Sequence, residues 1–258
     1  VLMIGPTGSG KTYMVSMLAE MLEVDFIAVD ATQFTASGYV GKDVEDIVSE
    51  LYIACEKSLR RVSEAIVYID EIDKIKIKNA SGGQADIGGV EVQQALLKLL
   101  EGTSITFASS GSKTDPHDMK IDTRNIMFIC SGAFVGLPDT SMESLTRFGM
   151  IPEFLGRFSM ITSLQPLTEE DMKKILLDSK GSVLEGVKEW FETEDIEVEI
   201  EMSAIDAIVE KTMAKNVGAR GLNHCLDEVL LEAQFEAPSF VVKPIKLVLD
   251  RELSLIHI

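Results

Sequence analysis

The sequence predicts an α/β fold, in which a parallel sheet flanked by helices is followed by a smaller helical C-terminal domain. Short apolar runs typical of buried strands alternate with longer segments of helical periodicity. Beyond Leu164 the chain changes character, and three helical stretches follow with only short apolar runs between them. We therefore expect a large α/β domain at 1–163, a small helical domain at 164–252, and a disordered or non-native tail at 253–258.

The large domain contains four apolar runs that predict buried strands, at 1–4, 26–29, 66–69 and 125–130. Helical periodicity predicts three helices between them, at 11–22, 43–62 and 89–100. The polar stretches 78–89 and 109–120 predict loops. Alternation of this kind favours a parallel sheet that binds its ligands at the carboxyl ends of the strands.

The small domain is predicted from helical stretches at 168–191, 203–215 and 219–235, with short apolar runs near 196–200 and 245–249. Thr168 precedes three acidic residues, and acidic side chains are favourable in the first turn of a helix. Thr168 therefore predicts a helix start. Gly218 predicts a break between the last two helices.

Composition argues against several classes of partner. The 42 acidic residues exceed the 24 basic ones and give a net charge of −18, which repels nucleic acid and anionic membranes. The three cysteines lie far apart without zinc-binding spacing, so we expect free buried thiols. The sequence shows no signal peptide and no run of about 18 apolar residues. We expect a soluble cytoplasmic protein that binds neither nucleic acid nor membrane.

A phosphate-binding loop follows the first predicted strand. The segment matches G-x-x-x-x-G-K-[ST] at every specified position and opens a predicted helix. Its glycines let backbone N–H groups surround phosphates, its lysine reaches the β- and γ-phosphates, and its threonine hydroxyl binds Mg²⁺. ATP and Mg²⁺ are the expected cofactors. The residues are Gly5, Pro6, Thr7, Gly8, Ser9, Gly10, Lys11 and Thr12.

Paired carboxylates follow the third predicted strand. The apolar run 66–69 leads directly into Asp70 and Glu71. Beside a phosphate-binding loop, this pattern places Asp70 near the Mg²⁺ ion and Glu71 where it activates a water molecule. Taken alone, the same segment would be a solvated acidic strand end.

Six segments of the chain form one combined pattern. They are the phosphate-binding loop 5–12, the Gly-Tyr-Val-Gly stretch 38–41, and the stretches 66–75, 92–102, 151–157 and 218–222. Taken together, these segments resemble the ClpX family, the AAA+ unfoldases of the Clp protease. The resemblance covers nearly the whole chain, and HslU is similar in several of the same motifs.

This resemblance implies a homohexameric ring with ATP sites between subunits and a central pore through which protein substrates are pulled. Tyr39 matches the aromatic residue of the family's pore loop, flanked by Gly38, Val40 and Gly41. Glycines would let such a loop move, and an aromatic ring grips chains with little regard to sequence. In isolation, this stretch would more often be a plain turn.

The resemblance also assigns roles to three residues beyond the loop and strand motifs. Arg157 matches the arginine finger offered to a neighbour's ATP, Arg220 matches the sensor-2 arginine, and Ser131 stands near the sensor-1 position. Guanidinium groups suit phosphate contacts because they stay charged and bind bidentately. The alternative for either arginine is a surface ion pair with one of the many acidic residues.

The chain departs from the family pattern in two places. Residues 134–147 lack the Ile-Gly-Phe-type loop by which ClpX docks on the ClpP peptidase, and 109–120 contains few basic residues for a substrate-recognition loop. Two other functions remain open: an AAA+ motor acting on DNA, and a module that binds nucleotide without turnover. The acidic balance disfavours the first, and the intact site residues disfavour the second.

Overall fold

The computed structural model describes residues 1–35, 42–77, 87–108, 118–178, 182–215, 217–237, 245–252 and 255–257. The chain divides into two compact units. The first comprises Val1–Pro6 and Gly10–Leu164, and the second comprises Thr7–Ser9 and Gln165–Ile258.

The first unit contains alternating strands and helices. Its strands are β1 (Leu2–Ile4), β2 (Phe26–Asp30), β3 (Ile66–Asp70), β4 (Ser104–Ala108), β5 (Asp118–Asp122), β6 (Met127–Gly132) and β7 (Ile161–Ser163). Its helices are α1 (Lys11–Leu22), α2 (Asp46–Ala54), α3 (Leu59–Glu64), α4 (Ile87–Glu101), α5 (Met142–Phe148) and α6 (Pro152–Leu155).

Five of these strands form one sheet in the order β2-β3-β6-β1-β7, and every neighbouring pair is parallel. The predicted α/β fold class is therefore confirmed. Parallel pairing brings the carboxyl ends of the strands to one edge, where Asp70 of β3 lies opposite Asp30 of β2. On β6, Gly132 lies opposite Ile4 of β1.

Strand β3 is buried on both faces of the sheet. Successive side chains of a strand point to opposite faces. Accordingly, Val67 and Ile69 belong to the large apolar cluster on one face, whereas Ile66 and Tyr68 belong to a smaller cluster with residues of α1. Burial on both faces explains why β3 is a continuous apolar run in the sequence.

The prediction of a single helix at 43–62 is wrong, because the segment forms two helices, α2 and α3, with a turn between them. Glu56 and Lys57 have φ angles of 52° and 63°, in the left-handed region that ends helices. Ser58 then begins the next helix, since its side chain accepts a hydrogen bond from the Arg61 N–H. Neither left-handed residue is glycine, so the sequence carries no plain signal for the break.

The loop predicted at 109–120 is shorter at its far end. Asp118–Asp122 form β5, which pairs antiparallel with β4. Ile105 and Ile121 lie opposite each other in this hairpin and are both buried. Burial of this apolar pair favours the hairpin over a longer loop. Residues 109–117 lie outside the described residues, as do 78–86 of the other predicted loop.

The second unit combines helices with a small sheet. Its helices are α7 (Glu169–Asp178), α8 (Val183–Glu192), α9 (Met202–Lys215) and α10 (Arg220–Glu236). Its strands are β8 (Ile196–Ile200), β9 (Ile245–Leu249) and β10 (Leu255–His257), in the order β10-β9-β8. The expected tail at 253–258 therefore contains a short strand, which pairs antiparallel with β9.

The start of α7 agrees with its sequence signal. Thr168 Oγ1 accepts a hydrogen bond from the Asp171 N–H at 3.2 Å, and Asp171 Oδ2 accepts one from the Thr168 N–H at 3.0 Å. This reciprocal pair satisfies two backbone donors that a helix start leaves without partners. The predicted stretch 168–191 is nevertheless two helices, because Ser182 caps a new helix by accepting from the Glu185 N–H.

The three cysteines, Cys55, Cys130 and Cys225, are all buried and free. Burial raises the pKa of the Cys130 thiol to about 12, so it stays protonated at neutral pH. None of the helices in the described part of the chain is long and apolar enough to cross a membrane.

Candidate nucleotide-binding site

The site begins at the N-terminus of α1, which follows the loop after β1. Gly10 precedes this helix with a φ of 83°, and a Cβ atom there would meet no heavy atom within 4 Å. The restriction to glycine at this position is therefore conformational rather than steric. No side chain caps the helix start. Its first N–H groups and the positive end of its dipole can accordingly bind an anion.

Lys11 is held against the loop that precedes its helix. Its Nζ donates hydrogen bonds to the carbonyl oxygens of Gly5 at 2.8 Å and Pro6 at 3.0 Å. The side chain is 8% exposed. The Gly5 N–H in turn donates to the Gly132 carbonyl at the end of β6, which ties the loop to the sheet. This arrangement fixes a positive charge beside the start of α1, as phosphate binding requires.

Thr12 and Asp70 come together across the edge of the sheet. Thr12 Oγ1 lies 3.3 Å from Asp70 Oδ2, although the two residues are 58 positions apart. A threonine hydroxyl and a carboxylate are both oxygen ligands of the kind that Mg²⁺ prefers. Their juxtaposition next to Lys11 fits a magnesium-bound triphosphate.

Two further hydroxyl groups complete this arrangement. Ser131 Oγ donates to Asp70 Oδ1 at 2.6 Å, and Tyr68 Oη lies 2.6 Å from Ser131 Oγ and 3.3 Å from Thr12 Oγ1. Burial raises the pKa of the Tyr68 hydroxyl, so it stays protonated at neutral pH. We call Thr12, Tyr68, Asp70 and Ser131 the hydroxyl–carboxylate network.

Glu71 lies directly after β3 in a backbone conformation that is uncommon for its type. Its φ is 56°, and its N–H donates to Asp70 Oδ1 at 2.9 Å. Left-handed backbone in a non-glycine residue stores strain and is frequent at functional sites. The side chain is exposed and thus accessible to water. This placement suits a carboxylate that takes a proton from water.

Arg157 follows α6 and forms an ion pair with Glu101, the last residue of α4. Both side chains are about half exposed. Within the first unit, the arginine therefore has the surface ion pair that the sequence offered as its alternative role. Its assignment as a finger for a neighbour's ATP stays a prediction.

The other predicted site residues are Arg220 and the stretch 38–41. Arg220 is the first residue of α10 in the second unit, and its side chain is exposed. Its sensor role stays a prediction. Gly38, Tyr39, Val40 and Gly41 lie outside the described residues.

Comparison with known protein families identifies both parts of the chain. Residues 1–161 match the profile of the AAA domain (Cdc48 subfamily). The chain belongs to the AAA domain family. Residues 167–241 of this AAA protein match a second profile, described as the C-terminal D2-small domain of ClpB protein.

The AAA protein is also similar to curated proteins named ATP-dependent Clp protease ATP-binding subunit ClpX. Identity is 37% to the protein of Treponema denticola and 39% to ClpX 2 of Wolinella succinogenes, in each case over 93% of this chain and 66% of the relative. The protein of Borrelia duttonii is 39% identical over 93% of this chain and 63% of its own length. The resemblance to ClpX is thus confirmed, and the chain spans about two thirds of the length of these relatives.

Sequence reasoning missed Tyr68 as a site residue of the AAA protein. It lies within the apolar run 66–69, where a tyrosine resembles any other core residue. A signal was nevertheless present. Residues two apart on a strand share a face, so Tyr68 had to lie on the same face as Asp70.

Asp73 and Gly132 were also missed. Asp73 is 3% exposed and accepts a hydrogen bond from the Ala133 N–H at 3.2 Å. A Cβ atom at Gly132 would lie 2.7 Å from Asp73 Oδ1, so the carboxylate packs directly against the end of β6. Asp73 thus holds the chain segment that follows Ser131. The only sequence signal was an acidic residue among isoleucines, just after the paired carboxylates.

Proposed function

We propose that this AAA protein hydrolyses ATP with Mg²⁺ and uses the energy to unfold proteins and pull them through the pore of a homohexameric ring. The observation that carries the ATPase part is the 3.3 Å approach of Thr12 Oγ1 to Asp70 Oδ2 beside the start of α1. Lys11 adds a fixed positive charge at the same place. Bound Mg²⁺ would neutralise charge on the phosphate oxygens.

Each residue of the nucleotide site described above has a proposed role in this chemistry. The N–H groups at the start of α1 and the Lys11 ammonium would bind phosphate oxygens, and Thr12 and Asp70 would hold the cation. Glu71 takes the proton of the attacking water, because its carboxylate is exposed next to Asp70. Ser131 fixes the orientation of the Asp70 carboxylate through its 2.6 Å hydrogen bond.

The resemblance to ClpX supports roles for two arginines. Arg157 completes the ATP site of a neighbouring subunit, and Arg220 contacts the nucleotide from the small domain. Arg157 must leave Glu101 to do so. Opening this ion pair costs little free energy, because exposed ion pairs contribute only about 0–1 kcal/mol to stability.

The substrates are proposed to be proteins, gripped by Tyr39 of the pore loop. The relatives are named as subunits of a Clp protease, and the net charge of −18 disfavours nucleic acid as the alternative substrate. Residues 133–141 connect β6 to α5, and the sequence 134–147 lacks the Ile-Gly-Phe-type docking loop of ClpX. We therefore propose that the protein works as an unfoldase and does not dock on a ClpP-type peptidase through such a loop.

The test follows loss of fluorescence from a stably folded fluorescent protein that carries an unstructured terminal tag. ATP hydrolysis is measured in parallel by phosphate release. The parent protein is expected to unfold the reporter only with ATP. Tyr39→Ala is expected to hydrolyse ATP at a similar rate and to leave the reporter folded, because only the grip on the substrate is lost.

Three results would contradict parts of this proposal. Absence of phosphate release would refute the ATPase assignment. ATP consumption without unfolding, in the parent and the variant alike, would leave the ATP site standing and refute the work on proteins. Stimulation of hydrolysis by duplex DNA rather than by protein substrate would favour the DNA motor.

A further inference from the structure

Tyr68 is a core residue that carries a polar group into the nucleotide site. Its side chain is fully buried, and its ring packs in the apolar cluster between β3 and α1 with Val15 and Ala19. The Phe26 ring lies 6.4 Å away, centroid to centroid. The ring is thus fixed by packing, and its hydroxyl reaches the carboxyl edge of the sheet.

The protons of the hydroxyl–carboxylate network can be assigned by counting donors. Each hydroxyl has one proton to donate and lone pairs to accept with. Ser131 donates its proton to Asp70 Oδ1 at 2.6 Å. Ser131 must therefore accept in its other short contact, so the Tyr68 hydroxyl donates to Ser131 Oγ, also at 2.6 Å.

The proton of Thr12 then has two acceptors to choose from. Both Tyr68 Oη and Asp70 Oδ2 lie 3.3 Å from Thr12 Oγ1, and one proton cannot serve both well. With its own proton committed to Ser131, the Tyr68 oxygen is a pure acceptor toward Thr12. Asp70 Oδ2, in contrast, carries the negative charge that a cation would bind.

We infer that Tyr68 is a positioning residue for Mg²⁺: its hydroxyl oxygen gives the Thr12 proton an acceptor other than Asp70 Oδ2, and so leaves that carboxylate oxygen available to the cation. This inference rests on the proposed function, because it assumes that Thr12 and Asp70 serve Mg²⁺. It adds a residue that touches neither nucleotide nor metal.

Tyr68→Phe removes the oxygen and keeps the ring. Thr12 then has only Asp70 Oδ2 for its proton, and that bond competes with the cation. We expect the gain in nucleotide affinity that Mg²⁺ provides to fall about three- to tenfold, which is typical for one lost hydrogen bond. Affinity without Mg²⁺ is expected to stay unchanged.

The experiment titrates the protein with a fluorescent ADP analogue, once in Mg²⁺ and once in EDTA. The readout is the ratio of the two dissociation constants, and no turnover is needed. Tyr52→Phe is the matched control, because Tyr52 is a second buried tyrosine of the same unit whose ring packs against Phe107. The control is expected to keep the wild-type ratio.

A double-mutant cycle separates positioning from packing. If Tyr68 acts through Thr12, then Tyr68→Phe has no further effect on the ratio in a Thr12→Ala background. A purely structural role would instead weaken binding equally in Mg²⁺ and EDTA, and that result would overturn the inference. Equal ratios for wild type and Tyr68→Phe would overturn it as well.

Two further measurements keep the outcome decisive. Thermal unfolding in EDTA checks that Tyr68→Phe is folded. If it is not, Tyr68→Met takes its place, because its flexible apolar side chain fills the space of the ring without supplying an oxygen. The ratio must then fall in the same way. Wild-type protein that binds no nucleotide would refute the proposed function itself, and wild-type binding that Mg²⁺ does not strengthen would refute its Mg²⁺ site. A wild-type Mg²⁺ effect that Tyr68→Phe leaves unchanged would refute only the inference.

Discussion

Gly132 provides a stringent test of the packing beneath the nucleotide site, through the substitution Gly132→Ala. It is the last residue of β6, and a Cβ atom there would lie 2.7 Å from both Asp73 Oδ1 and Phe134 Cε2. Neither neighbour can yield easily. Asp73 is buried and accepts the Ala133 N–H, and Phe134 is 2% exposed with its ring 5.2 Å from that of Phe148.

The magnitude follows from this crowding. Overpacking of a well-packed interior by one methyl group costs about 1–3 kcal/mol in the free energy of unfolding. For a unit of this size, each kcal/mol lowers the melting temperature by about 2–4 °C. We therefore expect Gly132→Ala to melt several degrees below wild type. Nucleotide affinity should fall too, because the Gly132 carbonyl accepts the Gly5 N–H of the phosphate-binding loop.

Thermal unfolding, followed by circular dichroism, is the assay, and Gly156→Ala is the control. Gly156 has a φ of −63°, and the nearest atom to its Cβ position is the Pro152 carbonyl oxygen at 3.4 Å, an ordinary contact. This control is expected to have the same melting temperature as wild type. If both alanine variants melt together, within about one degree, the crowding argument is refuted.

Two other predictions concern acidic residues. Glu71→Gln should keep nucleotide affinity and lose ATP turnover by at least about 100-fold, because the amide cannot take a proton from water; phosphate release beside analogue binding checks this. Hydrogen bonds from Arg61 hold the pKa of Asp25 below its ordinary value, so the stability that Asp25 contributes is complete at neutral pH and is lost as pH falls through that lowered pKa. Asp25→Asn should therefore be destabilised at pH 7. In urea unfolding, its difference from wild type in free energy of unfolding should shrink as pH falls below the ordinary pKa of an aspartate, and a difference that does not change with pH would argue against the ion pair.

The sequence predicts the nucleotide site where its chemistry is local. The phosphate-binding loop lies within eight consecutive residues, and Asp70 follows its strand directly, so spacing alone places both at the carboxyl edge of the sheet. The network around Asp70 was not predictable in the same way. Tyr68 and Ser131 are 63 positions apart, and only the parallel pairing of β3 with β6 brings them together.

Other differences arise where tertiary contacts decide between local alternatives. The break between α2 and α3 depends on left-handed backbone at Glu56 and Lys57, residue types that usually continue a helix. The ion pair of Arg157 with Glu101 joins residues 56 positions apart. No periodicity in the sequence encodes such a partner, although the excess of acidic residues made one expected.

The length of β3 has a consequence for how this strand can vary. Inserting one residue between Ile66 and Asp70 would exchange the two faces, so Tyr68 would leave the cluster against α1. Inserting two would restore the faces but displace Asp70 by about 6.6 Å along the strand, twice its separation from Thr12. Single substitutions in β3 can thus be tolerated one at a time, whereas an insertion or deletion within the strand cannot. Any sequence that aligns with a gap inside this strand should be read as having lost the site.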